Sequence, residues 1–475
     1  MLDDDVCYMS AREVVTHFKT RKLSPREFME AVIARSEKVG PKVNAYTHTS
    51  FDRALERAKG AEAKYTKTSA RLGRLEGLPV VIKDLHPIKG EITTSGSKLF
   101  ADHRDTFTLA HIERLFRAGA ILLARTTTPE FGAAAICHSP LWGVTRNPWN
   151  LDYSPGGSSG GAAAAVAIGM APLADGSDYG GSIRIPASCC GVFGYKPPYG
   201  RNPRPAPWNL DPYGHYGPIT RTVADGALMQ NVMSGIDPRD IATLRQRVTI
   251  PERLEGIEGW RIAFSIDLGY FEVDEEVQRN TRAAVEVFRD LGCEVEEVDL
   301  GWTSASLAAF DAHSGAYFAA KMAQYLPRGR YDMSNYACAV VEAGARVSTA
   351  AFYDALAVQA EMYDRLGPLL GRYNVLLCPT TAVAGVPAEH SPLDSDFRIN
   401  GKRVPAHLQW VMTYPFNMLS QCPVATVPTG FAASGVATGL QIVGRSYDDV
   451  SVFRAAAAYE RARPWLDKPD SRPRL

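Results

Sequence analysis

Short apolar runs alternate with amphipathic stretches along most of this chain. LPVVIKDL at 78–85 reads as a buried strand: it is short, continuous and bounded by polar residues. ILLARTTT (121–128), MAPLADGSD (170–178), WRIAFSID (260–267), CEVEEVDL (293–300), YNVLLCPT (373–380) and TGLQIVGR (438–445) read the same way. Between them lie helical patterns. Ser10 with Glu13 forms a capping box ahead of EVVTHF. Ser24, Pro25 and Glu27 are the N-cap, first and third positions of a second helix. FDRALERAKGAEAKY and HIERLFRAGAIL follow, the latter with Gly119 near its end, then an alanine-rich helix from about 160 to 169. DEEVQRNTRAAVEVFRDLG (274–292) and 448–462 are further helices, and 303–370 is mostly helical and rich in aromatics. The strand–helix–strand unit at 260–300 implies parallel pairing. Alternation from 78 onward makes the class α/β. The Pro/Gly-rich segments 198–214 and 384–401 read as loops, not boundaries, because periodic segments resume at once.

Composition narrows the function classes. Of 475 residues, 45% are hydrophobic and 22% charged, as in globular proteins, and 52 Lys+Arg balance 52 Asp+Glu. A zero net charge argues against nucleic-acid or anionic-membrane partners. The longest apolar run, AAAAVAIGMAPLA at 162–174, is too short and too rich in alanine to span a bilayer. The start, MLDDDVCYMS, lacks the basic and apolar regions of a signal peptide. Eight cysteines show no repeated close spacing, and Cys189–Cys190 is poorly placed for a metal. The expectation is a cytoplasmic protein with free thiols that serve packing.

Two glycine–serine sites carry the candidate chemistry: SPGGSSGG at 154–161 and DYGGSIRIPA at 178–187. The first resembles a linker, but a helix and a strand follow directly. It also resembles a phosphate loop, but no G-x-x-x-x-G-K-[ST] occurs. His86, His138, His215 and His313 suggest a Ser–His–Asp site, but a histidine taken alone is more often structural or solvated. No H-E-x-x-H or comparable spacing points to a metal, and none is expected. Lys83 closes the apolar strand at 78–85, 75 residues before Ser158.

GLPVVIKD, PGGSSGGAAAAVA, DGSDYGGSIRIPA, GVFGYKPPYGR and GPITRTVAD, in that order, resemble the amidase signature family of serine hydrolases. NPWN (147–150), LLCPTT (376–381) and GLQIVGR (439–445) extend the resemblance over nearly the whole chain. It implies one large domain over 1–475, with a central mixed, mostly parallel sheet covered by helices on both faces. Residues 1–66 would be an N-terminal helical segment, 78–225 the core with the reactive residues, and 303–370 a segment near the pocket. It implies a Ser–cis-Ser–Lys triad with Ser182 as nucleophile, Ser158 as the bridging cis-serine and Lys83 as base. Lysine serves as a base only when neutral, and burial in an apolar strand favours the neutral form. Asp84 points to the other strand face and need not pair with it.

The resemblance further implies an oxyanion hole of main-chain N–H groups from Tyr179, Gly180, Gly181 and Ser182. Side chains at Gly180 or Gly181 would obstruct substrate. Gly157, Ser159, Asp178 and Arg184 would support the two loops. Phe131, Cys137, Tyr179, Tyr213, His215 and Tyr414 are candidates for the substrate pocket. These aromatics favour a neutral aryl or alkyl amide, carbamate or ester. The resemblance implies cleavage with water; no cofactor and a monomer or homodimer are expected. Two alternatives stand. The family includes the glutamine-hydrolysing subunit of tRNA amidotransferase, but its serine–leucine–aspartate–glutamine stretch is replaced here by NLDPYGHYGPITRT at 209–222. A non-catalytic subunit of a complex is the other; the intact Lys83, Ser158 and Ser182 oppose it.

Overall fold

In the computed structural model, residues 5–67 and 69–475 are described; residues 1–4, where the expected N-terminal segment begins, lie outside them. Both helix-start signals form as expected. Ser10 Oγ accepts the Glu13 N–H at 3.2 Å and the Glu13 carboxylate accepts the Ser10 N–H at 2.8 Å, opening the helix Ala11–Thr20. Ser24 and Glu27 repeat the exchange at 3.1 and 2.8 Å, with Pro25 first in the helix Pro25–Val43. The alanine-rich segment is the helix Gly160–Ala167, buried at every position. The 303–370 segment contains the helices Ala305–Met322, Asn335–Gly344 and Thr349–Arg372.

Eleven strands form one sheet: β1 (Tyr46–Thr49), β2 (Pro79–Lys83), β3 (Ile121–Thr126), β4 (Leu173–Asp178), β5 (Phe193–Lys196), β6 (His215–Thr220), β7 (Arg261–Phe264), β8 (Glu294–Glu297), β9 (Val375–Pro379), β10 (Val424–Phe431) and β11 (Ala437–Gly444). Their spatial order is β1-β3-β2-β4-β6-β5-β10-β11-β9-β7-β8. All seven apolar runs are strands of this sheet, and β7–β8 is parallel as the 260–300 unit implies.

The expectation of a mostly parallel sheet is corrected. Pairs β3–β2, β2–β4, β9–β7 and β7–β8 are parallel. Pairs β1–β3, β4–β6, β6–β5, β5–β10, β10–β11 and β11–β9 are antiparallel. An apolar run reports burial, not direction. The strands it does not reveal, β1, β5, β6 and β10, are polar or interrupted by Gly and Pro, and they enter five of the six antiparallel pairs.

Helices cover both faces. Along β9, Val375 and Leu377 pack with the helices Glu275–Asp290 and Asp449–Ala462, whereas Leu376 and Cys378 pack with Ala305–Met322 and Thr349–Arg372. Because β2 and β4 run parallel in register Val81↔Ala174, their C-terminal ends, at Lys83 and Asp178, emerge at the same edge. No helix among the described residues is long and apolar enough to cross a membrane.

Candidate active site

Lys83 ends β2 fully buried. Its Nζ lies 2.6 Å from Ser158 Oγ, 3.0 Å from Ser159 Oγ and 3.0 Å from Ser177 Oγ. Three hydroxyl oxygens match the three N–H donors of an ammonium. Each hydroxyl also carries a proton, so Ser158 can donate to a neutral amine. Burial lowers the Lys83 pKa to about 7, against the opposing pull of Cys137, Asp175 and Asp178. Asp84 turns away, as the alternation of strand faces requires, and accepts from the N–H and hydroxyl of Thr94.

Ser158 follows a cis peptide bond, Gly157–Ser158. Gly157 is packed against the main chain: a Cβ there would lie 2.0 Å from the Ile136 carbonyl oxygen. The two glycine–serine loops are joined through Ser159, whose N–H donates to the Ser182 carbonyl at 3.1 Å and whose hydroxyl donates to the Ser177 carbonyl at 3.3 Å. Ser182 is half-buried, as are Ser177, Tyr179 and Gly180, so this loop keeps part of its surface open to solvent.

Asp178 organises the second loop. Its carboxylate accepts from the main-chain N–H of Gly181 at 2.9 Å and of Ile183 at 3.2 Å, and from Asn417 Nδ2 at 2.8 Å. Arg184 bonds it twice and also reaches the Thr413 carbonyl, Gln441 and Asn417. Burial alone would raise the Asp178 pKa; the adjacent Arg184 guanidinium outweighs it and holds the carboxyl below its ordinary value.

Two expectations change here. The Gly181 N–H is already donated to Asp178, so Tyr179, Gly180 and Ser182 remain as candidate oxyanion donors. The two glycines also have a packing reason beside the expected one of substrate access. At Gly181, with φ +126°, a Cβ would lie 1.9 Å from Thr413 Oγ1; at Gly180 it would press on the Phe310 ring at 3.0 Å.

The pocket candidates separate into two layers. Tyr179 is half-buried, its ring 6.3 Å from that of Phe310. Phe131 is also half-buried, and the adjoining Gly132 lies against Ser158 and Leu85. Cys137, Tyr213, His215 and Tyr414 are sealed from solvent, which corrects their assignment to the pocket surface. Two of them pack behind Tyr179: Tyr213 stacks on His313 at 3.8 Å and on Phe310 at 5.8 Å, and Tyr414 lies 5.3 Å from Phe310.

Sequence reasoning missed Ser177, Phe310, Thr413, Asn417 and Gln441. Ser177 alone had a signal: it lies one strand repeat before Tyr179 and two residues after Asp175. The other four reach the site from more than 100 residues away in the chain.

Among the described residues one group has three metal-ligand types close together, His86, His111 and Asp175. Their facing atoms are 2.6 and 3.1 Å apart, which are hydrogen-bond contacts. All eight cysteines are buried thiols, and none is joined in a disulfide.

Against known proteins, the chain matches the sequence model of the Amidase family over residues 27–453. It is 36% identical to an acylamidase of Rhodococcus erythropolis, with 98% of each chain covered. It is 32% identical to a glutamyl-tRNA(Gln) amidotransferase subunit of Chloroflexus aggregans, again with 98% of each covered. The fold superposes on a bacterial aryl acylamidase of the amidase signature family with a TM-score of 0.92 and 33% identity, covering 98% of this chain and 99% of that one. A 6-aminohexanoate cyclic dimer hydrolase superposes with a TM-score of 0.86 and 27% identity, covering 98% and 99%.

Proposed function

This chain belongs to the amidase family, whose sequence model spans residues 27–453, and is a hydrolase of amide C–N bonds; from that premise we propose that it cleaves small neutral acyl amides, aryl or alkyl, through an acyl-enzyme on Ser182. The observation that carries this reading is the sealed Lys83, whose Nζ lies 2.6 Å from Ser158 Oγ on a loop bonded to the Ser182 main chain.

In this reading the Ser182 hydroxyl attacks the amide carbon. Its proton passes to Ser158 as Ser158 gives its own to neutral Lys83. The developing oxyanion faces the N–H groups of Tyr179, Gly180 and Ser182. The C–N bond then breaks, and the amine leaves with the proton that Lys83 returns through Ser158. Water attacks the resulting ester, losing its proton along the same route, and Ser182 departs as the alcohol while the acid is released. Carbamates and esters present the same carbonyl to the same groups.

The half-buried rings of Tyr179, packed on the buried Phe310, and of Phe131 support a neutral aryl substrate. So does the likeness to an acylamidase and an aryl acylamidase. The likeness to an amidotransferase component favours a second reading, glutamine hydrolysis. Buried aromatic packing of Tyr213 in the 209–222 region weighs against it.

The test is hydrolysis of an acyl anilide, a primary aryl amide, an aryl carbamate, a p-nitrophenyl ester and glutamine, with Ser182→Ala and Lys83→Ala in parallel. Anilide or carbamate cleavage, lost in both variants, is expected. Glutamine as the one cleaved substrate selects the second reading. Ester cleavage alone, retained by Lys83→Ala, removes Lys83 as the base.

A further inference from the structure

Directly behind Lys83 lies a polar cluster that this reaction does not use. Pairing between β2 and β4 runs through Val80↔Leu173 and Val81↔Ala174 and then stops. The main-chain N–H of Lys83 donates instead to a side chain, Asp175 Oδ1, at 2.8 Å. The other carboxylate oxygen, Oδ2, contacts His86 Nδ1 at 2.6 Å and His111 Nε2 at 3.1 Å. Asp175 and Ser177 share one face of β4. That face therefore supplies a carboxylate to the Lys83 main chain and a hydroxyl to its amine. All three members of the cluster are buried, with Tyr216 packed on both imidazoles at 4.8 and 4.5 Å.

The hydrogen bonds define the charge. His86 Nε2 and His111 Nδ1 are buried without a hydrogen-bond partner among the described residues. An imidazolium would place an N–H at each of these atoms with nothing to accept it. Burial lowers the His86 pKa to about 4, so this ring is neutral and has one proton to place against Asp175. The carboxylate faces the Lys83 main-chain N–H and two imidazole nitrogens; burial alone would raise its pKa, and the two histidines outweigh that and hold it below its ordinary value. Asp178 differs, because Arg184 already pairs with it.

We propose that Asp175, oriented by His86 and His111, is a positioning residue that fixes Lys83 through its main-chain N–H and supplies the counter-charge for the ammonium formed during each turnover. This rests on Lys83 being the base. The groups facing Lys83 are Asp175, Ser177 and Asp178 from β4, Ser158 and Ser159 from the first loop, and the buried Cys137 thiol. Asp175 is faced by His86, His111, Lys83 and Tyr216. Arg125 of β3 lies nearby; its Nη2 donates to the carbonyls of Lys83 and His86, and its nearest carboxylate is Asp84 at 4.0 Å. Asp175 thus differs from Asp178 in forming no direct ion pair with an arginine, although its charge also acts on the Arg125 guanidinium.

The experiment is the pH profile of kcat/KM for an anilide. Asp175→Asn keeps an acceptor for the Lys83 N–H and removes the charge. The ammonium then loses support, so the acidic limb moves to lower pH by about one unit, with KM little changed. His111→Phe removes one N–H dipole that screens the carboxylate, so the limb moves the other way, while His111→Gln, which retains a donor, keeps the wild-type profile. Should Asp175→Asn not fold, the His111 pair carries the test. Profiles in which folded Asp175→Asn and His111→Phe lose activity without a shift of the limb overturn the proposal, because a purely structural cluster gives that result. If Lys83→Ala retains amidase activity, the assignment of the base itself is wrong. An inactive Lys83→Ala beside unshifted cluster variants removes only the proposal.

Discussion

Arg184 grips Asp178 through two hydrogen bonds of 2.9 Å, one to each carboxylate oxygen, and neither side chain reaches solvent. Through this pair the loop carrying Ser182 is tied to Thr413, Asn417 and Gln441, far along the chain. Truncating Arg184 leaves a buried, unpaired carboxylate. Arg184→Ala is expected to cost about 3–5 kcal/mol of stability, the range for breaking a buried pair. Arg184→Lys is expected to lose much of the same, since one ammonium cannot span both oxygens. Urea unfolding checks this, and a midpoint unchanged in Arg184→Ala would contradict it.

The pH dependence follows from the environment of Lys83. Burial brings its pKa down to about 7, and only the neutral amine accepts a proton. The neutral fraction rises with pH, so kcat/KM is expected to fall about tenfold per unit below that value and to level off above it. A profile flat from pH 5 to 9 on a substrate limited by acylation is inconsistent with lysine as the base.

Tyr179 offers a specificity test. Its buried hydroxyl faces the Asp211 carboxylate without reaching a hydrogen bond of ordinary geometry, while its ring is half-buried. Removing an unsatisfied hydroxyl costs little, so Tyr179→Phe is expected to change kcat/KM by no more than about twofold. Tyr179→Ala removes ring area beside Phe310 and is expected to raise KM for aryl amides about tenfold, with less effect on small alkyl amides. Equal effects on both substrate types would show that the ring does not contact the aryl group.

The cysteines should be silent. All eight are buried, and burial pushes the thiols of Cys137, Cys189 and Cys190 upward, away from the reactive thiolate. Labelling of the native protein with a thiol reagent at neutral pH is expected to be slow and to leave activity intact, with eight sites reacting after unfolding. Rapid labelling with loss of activity would place one of them at the active site.

Much of this protein was determined by local sequence. Capping boxes at Ser10 and Ser24 start helices because their partners are three residues away. Apolar runs become strands because a sheet with both faces covered needs them buried. The motifs around Lys83, Ser158 and Ser182 could be read because each packs its chemistry into a few adjacent residues. Tertiary structure decided what depends on distant partners. Outside the strand–helix–strand unit at 260–300, strand direction was not legible, because burial looks the same in either sense. The sealing of Tyr213, His215 and Tyr414 was not legible either, since an aromatic residue suits a wall and a core equally well. Nor was the commitment of the Gly181 N–H to Asp178, or the convergence of His86, His111 and Asp175 behind Lys83. Those groups come from three separate elements, and only the packing of β2, β4 and the helix Ala110–Arg117 brings them together.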